Sequence, residues 1–212
     1  MKESLIRDSE YEDFLKIDSG TSVGILLSGG IDSTTLLHFA LERRIEIIGL
    51  EFNYLGRTEV EKRIVKNLSE NRHFSLYSID YPKVMCFNNK DLKVEFRESN
   101  ILYYTFAVSF GIKMNLEYII GGQILNDWSQ KEAVASPIFY NHLNFLLDME
   151  FKHQVPRILM PFINLNKKEV VALGNRLGVH FDDTYSCPYR EPLPCDVCLQ
   201  CLERKEALDS LK

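Results

Sequence analysis

The chain has no apolar run approaching the roughly 20 residues that cross a bilayer, and no internal repeat or low-complexity tract. A membrane-spanning helix and a repeat array are therefore not expected. Residues 1–20 are polar and acidic, with no positively charged segment leading into an apolar core, so a secretory signal is not expected either. The chain reads as cytoplasmic. Basic excess is also missing: 25 Lys and Arg stand against 30 Asp and Glu, a net charge of −5, which argues against holding a large piece of nucleic acid unaided. The five histidines share no metal-binding spacing. There are only five cysteines, and four of them fall between 187 and 201, too unevenly for a disulfide framework in a reducing compartment. What remains is a 212-residue chain, 45% hydrophobic and 26% charged, long enough for one well-buried α/β domain and a small appended module.

The stretch that organises the chain is Val23-Gly24-Ile25-Leu26-Leu27-Ser28-Gly29-Gly30-Ile31-Asp32-Ser33. Val23 to Leu27 reads as a buried parallel strand, and Thr34 to Leu41 has the apolar spacing of a helix. Gly29 and Gly30 let a ligand approach the backbone, and the helix N-terminus favours an anion. A capped strand-to-helix turn without a ligand is the plain alternative. A Walker A loop would need a lysine reaching the terminal phosphates, and none follows here. Ser28-Gly29-Gly30-Ile31-Asp32-Ser33 instead resembles the loop of the ATP pyrophosphatase (PP-loop) family. That resemblance implies magnesium at Asp32 near the pyrophosphate, with Ser28 and Ser33 donating to phosphate oxygens.

A second strand, Glu46–Phe52, ends at Asn53-Tyr54, and a third follows at Phe74–Asp80 after a helix over 58–71. Open parallel sheets bind ligands beyond the carboxyl ends of their strands, which puts Phe52 and Tyr54 near the nucleotide, although Tyr54 also fits a surface aromatic. Residues 81–95 read as a loop carrying the lone Cys86. A helix from Asn100 to Met114 leads to a strand at Tyr118–Gly122, whose end brings Gly122, Asp127 and Trp128 to the site or leaves them in a plain loop. After a helix over 138–151 and a last strand at Arg157–Phe162, Asn166 and Glu169 have the spacing of a capping box. Lys167 then falls in a first helical turn, where a cation is unfavourable without an anionic partner, and this makes it a candidate phosphate contact.

Cys187, Cys195, Cys198 and Cys201 supply four thiolates at spacings that let sulfurs converge on one tetrahedral ion. Zinc in a closed structural site is the economical reading; an iron–sulfur cluster is the alternative.

Taken together, the loop at 28–33 and the tail from Thr184 to Arg204 resemble the QueC (ExsB) family, 7-cyano-7-deazaguanine synthase. The stretch Met160–Val170 adds to the likeness, and Arg97 and Asn100 echo an Arg-Asn pair that is adjacent in the family. The family's Asp-x-Ser-Gly-Tyr-Pro-Asp-Cys is matched here only at Asp127 and Ser129; Gln130-Lys131-Glu132-Ala133-Val134 follows. Its Asp-Tyr-Gly-Gln-Arg stands as Asn53-Tyr54-Leu55-Gly56-Arg57.

The resemblance implies a doubly wound, mostly parallel α/β fold of the adenine nucleotide α-hydrolase kind. It divides the chain into an N-terminal extension (1–20), a PP-loop domain (21–180) and a small four-cysteine metal module packed on it (181–212). It implies ATP, Mg2+ and Zn2+ as cofactors, with catalytic roles for Asp32, Ser33 and Lys167. Ser28, Gly29, Gly30, Ile31, Asp32, Ser33, Phe52, Tyr54 and Gly122 would meet the nucleotide, and Arg97, Asn100, Asp127 and Trp128 the substrate. The implied chemistry is adenylation of 7-carboxy-7-deazaguanine, with pyrophosphate release, and conversion by ammonia to the amide and then the nitrile. Another amine, such as one on a protein, as in relatives found in antiviral defence systems, is the runner-up acceptor; an RNA-modifying enzyme of the PP-loop type is a third reading. The same reading leaves room for a protein partner or a homodimer, with no membrane and no nucleic acid.

Overall fold

The structure, a computed structural model, describes residues 10–54, 56–81, 83–85, 93–95, 99–129, 135–151, 154–189 and 191–212. A helix over 10–15 (α1) precedes β1 (Ser22–Leu26), α2 (Ile31–Glu42), β2 (Glu46–Asn53), α3 (Glu59–Arg72) and β3 (Ser75–Asp80). Then come β4 (Lys83–Met85), β5 (Lys93–Glu95), α4 (Asn100–Lys113), β6 (Tyr118–Ile120), α5 (Leu125–Ser129) and α6 (Pro137–Glu150). The chain closes with β7 (Arg157–Leu159), α7 (Lys167–Arg176), a 3-10 turn at Phe181–Asp183 and α8 (Leu199–Asp209). No helix among the described residues is long and apolar enough to cross a membrane.

Five strands form one parallel sheet in the order β3-β2-β1-β6-β7. The near-continuous apolar runs of β1 and β2 follow from burial of both faces. Successive side chains alternate: Val23, Ile25 and Leu27 face a core shared with α1, α2, α3, α7 and α8, whereas Leu50, Phe52, Ile119 and Ile158 face one shared with α4 and α6. The sheet is therefore doubly wound. Its strand order reverses at β1, which has β2 on one side and β6 on the other, so a crevice opens beyond the carboxyl end of β1.

Local chemistry sets the helix starts. The expected capping box is present at α7, where the Asn166 side chain accepts from Glu169 N–H and the Glu169 carboxylate accepts from Asn166 N–H. Thr58 and Glu61 make the same exchange at α3. Two segments differ from the sequence reading. Residues 81–95 are not loop throughout, since β4 and β5 pair antiparallel within them; each strand is too short to show a period. The segment after β6 is not plain loop either: Asp127 accepts from Ile124 N–H and closes the single short helix α5. Cys86 lies outside the described residues.

Residues 10–17 join the main core. Phe14 and Ile17 are buried, and the Phe14 ring lies 5.0 Å from that of Phe39 in α2. Glu10 is buried as well, with Oε2 accepting the Met160 N–H at 2.9 Å. Burial pushes its carboxyl above the usual range, partly offset by that hydrogen bond and by Arg157. Because the folded pKa lies above the unfolded one, the stabilising contribution is full below the ordinary glutamate pKa and is lost as pH rises through the raised value. Glu10→Gln keeps an acceptor without the charge, so its stability in urea should gain on wild type between pH 4.5 and 7. Glu10→Ala, which strands the Met160 N–H, should lose about 1–3 kcal/mol.

Candidate functional site

β1 ends at Leu26, and the chain turns through Ser28-Gly29-Gly30 into α2. Gly29 has φ +86°, a left-handed conformation that glycine adopts without strain. The turn is knitted by hydroxyls: Ser28 N–H donates to Ser33 Oγ at 3.3 Å, Gly30 N–H donates to Ser28 Oγ at 3.2 Å, and the two serine hydroxyls lie 3.1 Å apart. Gly30, at the N-cap of α2, makes no side-chain cap. The first-turn amides of α2 are thus oriented for an anion.

Asp32, in that first turn, is the electrostatic centre. Its Oδ2 accepts from Lys167 Nζ at 2.6 Å. Its Oδ1 is buried and has no hydrogen-bond partner among the described residues, an oxygen suited to a hard cation. The anionic partner of Lys167 is here the Asp32 carboxylate, while the Lys167 backbone N–H donates to Asn126 Oδ1 at 3.2 Å.

The crevice has a volume of about 360 Å³. Of the expected residues it brings together Ser28, Asp32, Ser33, Phe52, Tyr54, Asn100, Gly122 and Asp127 along its lining. Gly122 packs on the loop backbone: a Cβ there would lie 3.1 Å from Ser33 N. Ile31 is fully buried, leaving only its backbone for a ligand, and Gly29 and Gly30 belong to the turn beside the crevice. Arg97 and the Trp128 side chain lie outside what is described.

Besides Leu26, Leu27 and Leu50, the sequence reading missed four lining residues with polar groups, Arg57, Tyr103, Tyr104 and Gln123. Arg57 did carry a signal, the arginine in the stretch compared with Asp-Tyr-Gly-Gln-Arg; it is held by Glu51 at 2.9 Å and by the Phe52 carbonyl. Tyr104 is fully buried, and burial pushes its hydroxyl well above the ordinary tyrosine range; it donates to Gln123 Oε1 at 2.6 Å.

The four expected cysteines converge. Their sulfurs all lie within 4.8 Å of one another, against about 3.8 Å for thiolates sharing one tetrahedral ion at zinc–sulfur distances. Backbone N–H groups of Cys195, Cys198 and Cys201 donate to the sulfurs of Cys187, Cys195 and Cys198, each at 3.4 Å. Such bonds from Val197 and Cys198 lower the Cys195 pKa, whereas burial pushes the Cys201 thiol up to about 12. Four thiolates this close repel one another unless a cation lies among them, so the donor set fits a metal. The cluster abuts the loop, because Tyr185 N–H donates to the Gly29 carbonyl at 2.9 Å, two residues before Cys187.

The family described as Queuosine biosynthesis protein QueC matches residues 22–212. The chain belongs to the QueC family. Relatives named 7-cyano-7-deazaguanine synthase include those of Aquifex aeolicus, 27% identical over 87% of this chain and 94% of the relative, and Leptospira interrogans, 30% identical over 90% and 88%. QueC is thus an enzyme family, and the chain spans nearly the full length of these relatives. In fold it is similar to the U34-tRNA thiolase NcsA of Methanococcus maripaludis, solved with its [4Fe-4S] cluster (TM-score 0.59, 17% identity, 98% of this chain and 70% of that one). It is also similar to the NMN synthetase of Francisella tularensis (TM-score 0.55, 15% identity, 98% and 84%). These likenesses, with the parallel sheet and the loop, identify the PP-loop α/β fold.

In this QueC member, glycine at 121 is a steric requirement of the crevice wall. A Cβ there would fall 1.8 Å from the Tyr104 hydroxyl and 2.5 Å from Gln123 Oε1. Gly121→Ala should lose about 1–3 kcal/mol in urea unfolding. Adding Tyr104→Phe, which removes the clashing hydroxyl, should recover part of that loss in a double-mutant cycle.

Proposed function

We propose that the chain activates a carboxylate by adenylation, the substrate being 7-carboxy-7-deazaguanine and the product with ammonia 7-cyano-7-deazaguanine. The observation that carries this is Asp32 at the loop, lining a crevice at the sheet's switch point of a QueC-family chain and paired from behind the lining with Lys167. A substrate carboxylate oxygen attacks the α-phosphorus of ATP; the bond to the bridging oxygen breaks and pyrophosphate leaves. Ammonia then attacks the acyl carbon, and AMP departs with the carboxylate oxygen, leaving the amide and a proton. In a second round the amide oxygen takes AMP from another ATP, and loss of AMP with that oxygen and the nitrogen's protons gives the nitrile.

In-line displacement at phosphorus asks chiefly for positioning and charge neutralisation. The α2 amides and the Ser28 and Ser33 hydroxyls hold phosphate oxygens; Lys167 adds a cation beside them. Asp32, through its unpartnered Oδ1, would hold magnesium, which when bound offsets the charge of the leaving pyrophosphate. Phe52 and Tyr54 flank the nucleotide, and Asn100 and Asp127, with Arg97 and Trp128, meet the deazapurine. Cys187, Cys195, Cys198 and Cys201 hold zinc in a closed structural site. Their close spacing supports this, since a [4Fe–4S] cube sets each thiolate on a different iron and spreads the sulfurs further.

A second reading is favoured by one observation, Gln130 to Val134 standing where the family has Gly-Tyr-Pro-Asp-Cys after the serine. Here the deazaguanine carboxylate is still adenylated, but another amine takes the acyl group. Incubation with ATP, magnesium, 7-carboxy-7-deazaguanine and ammonia separates these outcomes by mass. Rapid formation of amide and nitrile removes the case for another acceptor, and absence of AMP and pyrophosphate with this acid excludes the deazaguanine reading. ADP and phosphate as products would contradict adenylation altogether. Asp32→Asn should lower kcat/KM by about 10²–10³-fold with an unchanged circular dichroism spectrum. Metal analysis should find about one zinc per chain; a brown, iron- and sulfide-rich protein would contradict the zinc assignment. Cys198→Ser should lose the metal and lower Tm.

A further inference from the structure

Adenylation by itself gives the contact between Tyr104 and Gln123 in the crevice wall no role, yet the contact is built at a cost. The fully buried Tyr104 hydroxyl donates to Gln123 Oε1 at 2.6 Å. The backbone beside it has to stay bare, since a Cβ on Gly121 would fall on both side chains. An apolar side chain would fill the place with no hydroxyl to desolvate. What the contact does is fix which way round the Gln123 amide lies. Its 2.6 Å length is that of an O–H···O bond, usually about 2.7 Å, rather than an N–H···O bond at about 2.9 Å. Another neighbour of the hydroxyl, Met160 Sδ at 3.6 Å, is only a weak acceptor. Burial, with the Asp127 charge adding to it, pushes the Tyr104 pKa up, so the hydroxyl stays protonated and remains a donor. With Oε1 held at the wall, Nε2 is the end left for a ligand. Gln123 is half-buried and lines the crevice, and its Nε2 has no hydrogen-bond partner among the described residues.

We propose that Gln123 reads the substrate ring: its Nε2 donates to the ring carbonyl of the deazapurine acid, and Tyr104 is the positioning residue that keeps this donor facing inward. The inference rests on a deazapurine acid being the substrate. Tyr104 lies four residues after Asn100 on α4, so the two share a helical face, and Asp127 lies in the short helix that Gln123 leads into. The amide therefore sits on the wall that carries the groups assigned to the deazapurine. In a guanine-like ring the carbonyl oxygen accepts, while the adjacent ring N–H and amino group donate. A fixed N–H donor matches the carbonyl, and the acceptor-only carboxylate of Asp127, on the same lining, suits the donors. An amino group in place of the carbonyl would set donor against donor and leave the amide unpaired, which is how a hydrogen-bonding pocket rejects an analogue. Adenine carries an amino group at that ring position. The same mismatch disfavours it here and keeps the two ring-bearing ligands of one crevice in their own places.

Steady-state pyrophosphate release with two acids tests this on the full chain: 7-carboxy-7-deazaguanine and its 2,6-diamino counterpart, in which an amino group replaces the ring carbonyl. Wild type should favour the carbonyl acid in kcat/KM by at least about 100-fold. Gln123→Leu should lower kcat/KM for the carbonyl acid by about 10–100-fold and shrink the preference, with KM for ATP and the circular dichroism spectrum unchanged. Gln123→Glu puts an acceptor where the donor stood and should turn the preference toward the diamino acid, a reversal that a merely structural side chain would not give. Tyr104→Phe frees the amide to lie either way round and should cut the preference by about tenfold. Turnover of the carbonyl acid with a preference that both Gln123 substitutions leave intact overturns the proposal while the adenylation of this acid stands. A raised KM for ATP with unchanged selectivity between the acids also overturns it, because the amide then meets the nucleotide base. No pyrophosphate from wild type with either acid removes the deazapurine substrate and this proposal with it.

Discussion

Lys167 and Asp32 meet at 2.6 Å across 135 positions of sequence, and the rest of the site depends on that contact. It forms because α7 lies close against α2. Gly174 permits this approach, since a Cβ there would sit 2.7 Å from Thr35 Oγ1. A lysine in a first helical turn opposes the helix dipole, and the Asp32 carboxylate compensates for it. Both groups are mostly buried, 15% and 22% exposed, so removing either would leave the other charge desolvated and unmatched. The pair thus joins the first and last α/β units of the sheet and fixes a carboxylate and an ammonium where the loop amides point.

The C-terminal segment works on the same loop from the other side. Arg204 on α8 donates to Thr184 Oγ1 at 2.6 Å and to the Phe181 carbonyl. The next residue, Tyr185, donates its N–H to Gly29. Tyr185, Cys187 and Cys201 pack with Val60 of α3 in one small apolar cluster. Order among the four cysteines and order in the loop are therefore mechanically linked, so a metal held by the cysteines would bear on the loop.

How much of this could be read from sequence follows from how locally each feature is encoded. The loop, the Asn166–Glu169 capping box and the four cysteines are each complete within a few residues, and their geometry appears where the spacing put it. Lys167 was marked by an electrostatic misfit, but its partner lies in a different α/β unit and was not legible. Tyr103, Tyr104 and Gln123 gave no signal, because they reach the crevice only through the packing of α4 against β6 and the bare backbone at Gly121. The α6 periodicity gave a helix, but an apolar residue on either face reads alike until the core shows which side is covered. β4 and β5 were missed since three residues cannot display alternation.

The central claim is that a carboxylate oxygen attacks the α-phosphorus of ATP in the crevice beside Asp32 and Lys167. Isotope transfer tests it most directly. With 7-carboxy-7-deazaguanine labelled with oxygen-18 in its carboxylate, and ammonia as acceptor, the AMP released in the first round should carry one labelled oxygen on its phosphate. Label absent from AMP, or found in inorganic phosphate, would contradict the account.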